Sequence, residues 1–194
     1  APRSLRFTPC GWGRNRRTML LLRAIGLLLL LAAPLTGGAA ENAAPPPPDG
    51  AVVLDLGTAA VKKNHLRRGW STPEGIPGRR INWTNRMEAD IEVTLAAPAD
   101  REVEVTAFPF YIMGRRQRAG LFVNNRFAGD WVYGETPDFE THRVRVPAAL
   151  WQEGTNTLTL RVAYIGRNPG RDKRKLGLKV DSLSILPVAP AEGR

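Results

Sequence analysis

Residues 120–129 read GLFVNNRFAG, two short apolar runs separated by a pair of asparagines. Asparagine tolerates the positive φ that a two-residue turn between antiparallel strands requires, so Asn124 and Asn125 predict a tight hairpin. Several flanking segments alternate apolar and polar residues with the period of two that is typical of half-buried strands. The strand candidates outside the hairpin are an apolar run at 52–56 and alternating segments at 90–95, 102–106, 143–146 and 157–162.

The organisation of the remaining chain favours an all-β fold. Gly, Pro and Asn separate the strand candidates at short intervals, and no long segment after residue 51 has apolar residues at helical spacing. Residues 148–151 provide at most one helical turn. We therefore predict one antiparallel β-sandwich domain over residues 51–188, followed by a flexible tail at 189–194.

The first forty residues differ in composition from the rest. A basic stretch with four arginines precedes an apolar run at 24–33, and small residues follow at 37–40. The arginines are Arg14, Arg16, Arg17 and Arg23. This order is typical of a secretory signal peptide, although an uncleaved signal anchor over 19–35 is an alternative. Residues 41–50 contain four consecutive prolines and predict a stiff linker. The domain is thus expected to be exported, to the periplasm, the cell envelope or the extracellular space.

Charge and cysteine content exclude several classes of function. Residues 1–40 hold six of the 28 basic residues and none of the 18 acidic ones, so the remainder carries a net charge of only +4. The high charge of the whole chain therefore gives little support to nucleic-acid binding, and we expect no nucleic-acid partner. Cys10 is the one cysteine and precedes the predicted cleavage point. The domain itself then has no disulfide, thiol nucleophile or cysteine metal site.

Four segments together resemble the galactose-binding-like jelly rolls. Residues 120–129 look like the "LxVNGxxVG" hairpin of that group, and 153–160 are similar to its "xGxNxLxL" return strand. Residues 141–150 resemble the strand and turn that lie between the hairpin and the return strand in that group. Residues 176–185 resemble its last strand. The resemblance implies a jelly-roll β-sandwich of eight or nine strands that serves as a carbohydrate-binding or accessory module, often in exported proteins. The basic connector at 115–118 and the insertion at 166–175 depart from the pattern.

A turn-rich segment at residues 69–84 supplies the candidate ligand-binding residues. An aromatic ring can pack on the C–H face of a sugar, while Arg and Glu side chains can bind its hydroxyl groups. We expect this segment to form the floor and polar rim of a site, with two further aromatic residues as an opposing wall. The floor and rim are Trp70, Glu74, Arg80 and Trp83, and the wall is Trp131 and Tyr133. The alternative is that Trp70 and Trp83 close the end of the core; we predict that at least one ring is exposed.

Signals for catalysis are weak. His65 and His142 are the only histidines, and no Gly-x-Ser-x-Gly motif surrounds Ser71. Glu74 could pair with Asp130 or Glu135 as in a glycosidase, but nothing in the sequence brings them together. We therefore expect no enzymatic activity. Asp181 and neighbouring carbonyl groups are candidate ligands for a structural calcium ion, because calcium prefers oxygen ligands.

The sequence leaves two functions open. The first is an exported, non-catalytic carbohydrate-binding module for an envelope or extracellular glycan or polysaccharide. The second is a protein-interaction adaptor that uses the same jelly roll in envelope polysaccharide assembly or secretion and binds an envelope protein. In either case the membrane is expected to be contacted only through an uncleaved signal anchor.

Overall fold

The computed structural model describes residues 49–135, 138–167, 170 and 172–188. The predicted signal segment, most of the predicted linker and the tail at 189–194 lie outside these residues. Within the described ranges, no helix is long and apolar enough to cross a membrane.

Two antiparallel sheets contain nearly all of the strands. The first has the order β2 (Glu74–Ile76), β3 (Arg79–Trp83), β12 (Leu178–Pro187), β5 (Arg101–Pro109) and β8 (Glu140–Val146), and β1 (Val52–Asp55) also pairs with β12. The second has the order β4 (Glu88–Leu95), β9 (Gly154–Val162), β6 (Arg118–Val123) and β7 (Arg126–Val132). A separate ribbon pairs β10 (Gly166–Arg167) with β11 (Lys175–Leu176). The antiparallel β-sandwich predicted from the sequence is confirmed.

Helical structure is short, as the lack of helical periodicity predicts. Among the described residues the α-helix is α1 (Ala59–Asn64), which begins where the hydroxyl of Thr58 accepts a hydrogen bond from Val61 N at 3.3 Å. The 3-10 helix Ala148–Leu150 is the single turn expected near residue 148. The sequence did not predict α1, because six residues are too few to show the apolar spacing of a helix.

The main core lies between the two sheets and follows the predicted alternation. Successive residues of a strand point to opposite faces, and every second residue of the long strands is buried. The inward residues include Ile91, Val93, Val103, Val105, Leu158, Leu160, Leu183 and Ile185. A second, smaller cluster contains Ile81, Trp83 and Leu176. It lies on the opposite face of the first sheet, because Trp83 pairs with Lys179, whose neighbour Val180 belongs to the main core.

The hairpin that joins β6 to β7 has the predicted turn. Asn124 and Asn125 adopt φ values of 50° and 64°, and Val123 pairs with Arg126 across them. The register shifts by one residue between Leu121 and Phe122. This β-bulge sets Phe122 opposite Phe127, so that both rings share one face of the second sheet.

The segment at 69–84 is more regular than predicted. The sequence indicated a turn-rich loop, but β2 and β3 form a hairpin in which Ile76 pairs with Arg79. Pro77 and Gly78 make the turn, and Gly78 has the positive φ of 74° that favours glycine. Strands this short carry too little periodicity to be distinguished from a loop.

Candidate functional site

Trp70 is a core residue and not the floor of a site. Its side chain belongs to the main apolar cluster and the residue is 8% exposed. The indole N–H donates a hydrogen bond to Asp90 O at 2.8 Å, which satisfies its one polar group. A buried ring with a satisfied N–H offers no face to a ligand.

Trp83 is also buried, at 8% exposure, but in the second cluster. Its ring packs edge to face against the ring of Phe110, with centroids 6.4 Å apart. Lys179 places its ammonium nitrogen 5.1 Å from the centre of the Trp83 ring. The prediction that at least one of the two tryptophans is exposed is therefore wrong, because the chain itself covers both rings.

Lys179 occupies the position that a ligand would need at Trp83. Its ammonium nitrogen also lies 4.6 Å from the Phe108 ring centre and 6.0 Å from that of Phe139. Burial lowers the pKa of Lys179, and the nearby charge of Glu74 opposes that shift. Three rings around one cation form a closed cation–π arrangement rather than an open platform.

Glu74 is engaged as well. Arg174 pairs with Glu74 and, through Nη2 at 2.6 Å, with Asp172. These bonds to Arg174 lower the pKa of Asp172 to about 2. Residues 172–176, which we call the covering segment, thereby connect to β2, and their last residue, Leu176, packs in the second cluster. The predicted rim residue Glu74 is thus held in an ion pair with the covering segment.

Arg80 and Asp181 border a different cavity, lined also by Asp55 and Arg79. Arg80 is exposed, whereas Asp181 accepts a hydrogen bond from Arg79 Nη1 at 2.6 Å. In the part of the chain that the structure describes, no group of three or more His, Cys, Asp or Glu residues could hold a metal ion. Arg80 therefore shares a cavity with Asp181, while Trp70 and Trp83 belong to two separate apolar clusters.

The predicted opposing wall lies inside the sandwich. Trp131 and Tyr133 pack against each other with ring centroids 6.4 Å apart, and His142 stacks on Trp131 at 5.4 Å. Tyr133 is fully buried, and this burial raises the pKa of its hydroxyl group. Burial also lowers the pKa of His142, against the opposing effect of Glu140. Because both rings are buried in the main core, the assignment of Trp131 and Tyr133 as a wall is wrong.

The open face of the second sheet carries an exposed aromatic pair. Phe122 and Phe127 contact edge to face, with centroids 5.5 Å apart, and Phe127 is 58% exposed. A groove of about 200 Å³ runs beside them and includes Gly120. A Cβ atom on Gly120 would lie 3.5 Å from Phe122 Cε2, an ordinary contact. The backbone does not demand glycine by crowding there, and its missing side chain leaves the floor of the groove open.

Charged side chains flank the groove beside this aromatic pair. The Arg161 guanidinium lies 4.2 Å from the Phe122 ring centre and binds Glu88 through Nη2 at 2.7 Å. Arg68 joins Glu88 to Asp90. Across Gly120 from Arg161, Arg118 and Asp130 form an ion pair and line the same groove. The face thus combines apolar rings with fixed donors and acceptors, the two kinds of group that a sugar needs. We call the rings and these charged residues the phenylalanine face.

Sequence analysis used residues 120–129 for the hairpin and the family resemblance and named no ligand-binding residue among them. The available signal was the alternation of the strand itself. Leu121 and Val123 point into the core, so Phe122 must point outward, beside Gly120. An aromatic residue at an outward strand position is the observation that the sequence offered.

A second cavity, of about 340 Å³, lies at the connector between β5 and β6. Its lining includes Tyr111, Arg115 and Arg116, together with Glu135. Arg116 and Glu135 form a loose pair at 3.6 Å between two exposed side chains. The basic connector that departs from the sequence pattern is therefore part of a shaped surface.

Comparison with known proteins gives structural similarity at low sequence identity. No family model matches the sequence, and no curated protein matches it. The structure is similar to a GH26-CBM35 β-(1,4)-mannanase from Podospora anserina, with 17% identity, a TM-score of 0.48, and coverage of 73% of this chain and 28% of that chain. It is similar to the C-terminal CBM6 of the laminarinase LamC from Zobellia galactanivorans, with 10% identity, a TM-score of 0.46, and coverage of 70% and 98%. A third is the CBM36-1 domain of a xylanase from the hindgut metagenome of Trinervitermes trinervoides, with 12% identity, a TM-score of 0.42, and coverage of 72% and 99%.

Proposed function

We propose that this domain is a non-catalytic glycan-binding module whose site is the phenylalanine face. The observation that carries the proposal is the Phe122–Phe127 pair, which lies on an open sheet face beside a groove. Ion-paired Arg161 flanks this groove on one side of Gly120, and the Arg118–Asp130 pair flanks it on the other. Export to the envelope or the extracellular space, and a glycan of that compartment as the ligand, belong to the same proposal.

The chemistry of the face suits a sugar. The C–H side of a sugar ring packs on an aromatic ring, and Phe127 has an exposed ring in position to contact it. Arginine presents planar, paired N–H donors, and a carboxylate presents two acceptor oxygens. The Arg161–Glu88 pair on one flank of the groove and the Arg118–Asp130 pair on the other can each exchange part of their contact for bonds to vicinal hydroxyl groups.

A non-catalytic role agrees with the positions of the groups that catalysis would use. The His65 ring nitrogen Nδ1 lies 2.8 Å from Glu92 O, and the Ser71 hydroxyl donates to Asn82 Oδ1 at 3.2 Å. The Nε2 atom of His142 lies 3.1 Å from Glu140, inside the sandwich.

A calcium ion at Asp181 is a further proposal, and calorimetric titration of the protein with calcium tests it directly.

A glycan array followed by calorimetry on any glycan that binds tests the function. Phe127→Ala should weaken binding by about tenfold or more, since loss of a stacking ring costs roughly 1–3 kcal/mol by analogy with base stacking. Tyr111→Ala is the matched control, because Tyr111 is an aromatic residue of similar exposure, 46%, in the connector. Its affinity should equal that of the wild type.

Three results would count against the proposal. A protein that binds no glycan on the array would favour the adaptor function instead. Equal affinity of Phe127→Ala and the wild type would remove the phenylalanine face from the site. If glycan affinity falls only in Tyr111→Ala, the binding site is the connector cavity instead.

A further inference from the structure

The connector between β5 and β6 ends in an apolar tip. Residues 111–118 read YIMGRRQR, three apolar residues followed by three arginines within five positions. Met113 is 87% exposed, and among the described residues it is the most exposed large hydrophobic side chain. Tyr111 beside it is partly exposed. An apolar side chain this far out of a folded domain is available to a partner at no cost in core packing.

The tip is a built turn. Arg115 N donates to Ile112 O at 3.0 Å, and Gly114 adopts the positive φ of 74° that closes the turn. A Cβ atom on Gly114 would meet nothing within 4 Å, so the tip projects into open space. Ile112 and Arg115 pair as an isolated bridge across the turn. The backbone therefore presents Met113 at a defined position.

The base of the connector is fixed to the domain. The buried amide of Gln117 donates to Tyr164 O at 2.9 Å and accepts from Tyr164 N at 3.3 Å. The Tyr164 hydroxyl lies 3.0 Å from Arg115 O and 3.2 Å from Phe110 O. These bonds on both sides of the tip hold it against the buried Tyr164. The exposed methionine thus stands on a rigid support.

Cationic groups lie directly behind the apolar tip. Arg115 stacks on the Tyr164 ring, with its guanidinium carbon 4.8 Å from the ring centre, and Arg116 faces Glu135 at 3.6 Å. Both arginines are exposed, and Arg116 is the one that pairs with Glu135. An apolar tip followed by guanidinium groups matches the layers of an anionic bilayer, where hydrocarbon lies beneath phosphate. Tyrosine also suits the boundary between these layers.

We propose that the Tyr111–Met113 tip docks this domain on an anionic lipid surface, with Met113 entering the acyl boundary and Arg115 and Arg116 binding phosphate groups. The occupant is the membrane itself and not an acidic protein, because the exposed side chains of Tyr111 and Met113 stand in front of the two arginines and offer an apolar surface as well as charge. This contact is separate from the phenylalanine face and from any N-terminal anchor.

A single environment-sensitive label tests insertion in the full chain. Cys10→Ser removes the one native cysteine, and Met113→Cys then carries an NBD fluorophore. Met87→Cys is the matched control, since Met87 is the other methionine among the exposed large hydrophobic residues and is 42% exposed. Vesicles of phosphatidylcholine and phosphatidylglycerol should shift the emission of the label at 113 to shorter wavelength and increase its intensity. The label at 87 should not respond, even if residues 19–35 hold the chain on the vesicle.

The arginines supply the second arm of the test. Arg115→Gln with Arg116→Gln should raise the lipid concentration needed for half of the response by about tenfold or more, given the attraction of each cation to an anionic surface. Pure phosphatidylcholine vesicles should require a similarly higher concentration. Phe127→Ala should leave the response unchanged, which separates this proposal from glycan binding.

Several outcomes would overturn the inference. These are no response at position 113, equal responses at 113 and 87, and a response at 113 that both the arginine variant and neutral vesicles reproduce in full. A response to soluble polyglutamate without a response to vesicles would assign the tip to an acidic protein.

Discussion

Two faces of the molecule carry the same kinds of side chain and use them in opposite ways. On the outer face of the first sheet, Trp83 packs under Lys179 and Leu176, and Glu74 pairs with Arg174 of the covering segment. On the outer face of the second sheet, Phe127 remains exposed beside ion pairs of the same type. Aromatic rings next to arginine and glutamate therefore do not identify a binding site. A ring must also be left uncovered by the chain before it can contact a ligand.

The largest expected difference between the two faces is in how much an aromatic ring on each contributes to the free energy of unfolding. Trp83→Ala opens a cavity in the second cluster and should lower the free energy of unfolding by about 3–5 kcal/mol. Phe127→Ala removes an exposed ring and should lower it by about 1 kcal/mol or less. Guanidinium unfolding of the two variants measures both values. Equal losses of unfolding free energy would mean that the two rings are covered to the same extent, and the two faces would then not differ as described.

Filling the open groove should separate binding from stability. Gly120→Val adds a branched side chain at an outward strand position where the nearest contacts of a Cβ atom are ordinary. It should increase the free energy of unfolding by up to about 1 kcal/mol, since valine suits a strand better than glycine. Glycan affinity should nevertheless fall by about tenfold or more, because the side chain takes the space beside Phe122. A variant that is both more stable and binds as the wild type does would show that the groove is not the site.

Sequence reasoning succeeded where the signal was periodic. The alternation in β4, β5, β8 and β9 and the positive φ of Asn124 and Asn125 predicted the sandwich and its hairpin, because these signals depend on neighbouring residues. It failed for β2 and β3, whose few residues cannot display a period, and for the six-residue α1.

The candidate site was predicted poorly for a different physical reason. Exposure of a tryptophan depends on residues distant in sequence: Lys179, 96 positions from Trp83, covers that ring, and Asp90 binds the Trp70 indole. Residue type alone cannot show such contacts. The outward position of Phe122, by contrast, follows from the alternation of its own strand and depends on neighbouring residues alone.

The cation on the covered face gives an effect of intermediate size. Lys179→Met keeps the apolar stem and removes the ammonium group from the three rings, which should lower the free energy of unfolding by about 1 kcal/mol. Lys63→Met, at an exposed position on α1, is the control and should change little. Chemical unfolding of both variants gives the comparison. A more stable Lys179→Met protein would mean that burial of the ammonium group costs more than the rings return.

The smallest expected effect concerns the ion pair that connects the covering segment to β2. Glu74→Gln leaves Arg174 with Asp172, and the groups are partly exposed, so the free energy of unfolding should fall by about 1 kcal/mol or less. The informative measurement is local: Gly177 N donates to Thr84 O at 2.9 Å directly after the covering segment. Its hydrogen exchange should become faster in the variant at low salt, and the difference should shrink near 1 M salt as the pair is screened.

Glu88→Gln is the matched control for this measurement, since Glu88 pairs with Arg161 and Arg68 on the open face. It should leave exchange at Gly177 unchanged, because no part of the covering segment depends on it. If Glu74→Gln also leaves that exchange unchanged, the packing of Leu176 against Trp83 and Ile81 alone closes the covered face. The difference between the two faces would then rest on apolar contact. The charged residues at 69–84, which resembled a binding site in the sequence, would contribute neither to ligand binding nor to closing the covered face.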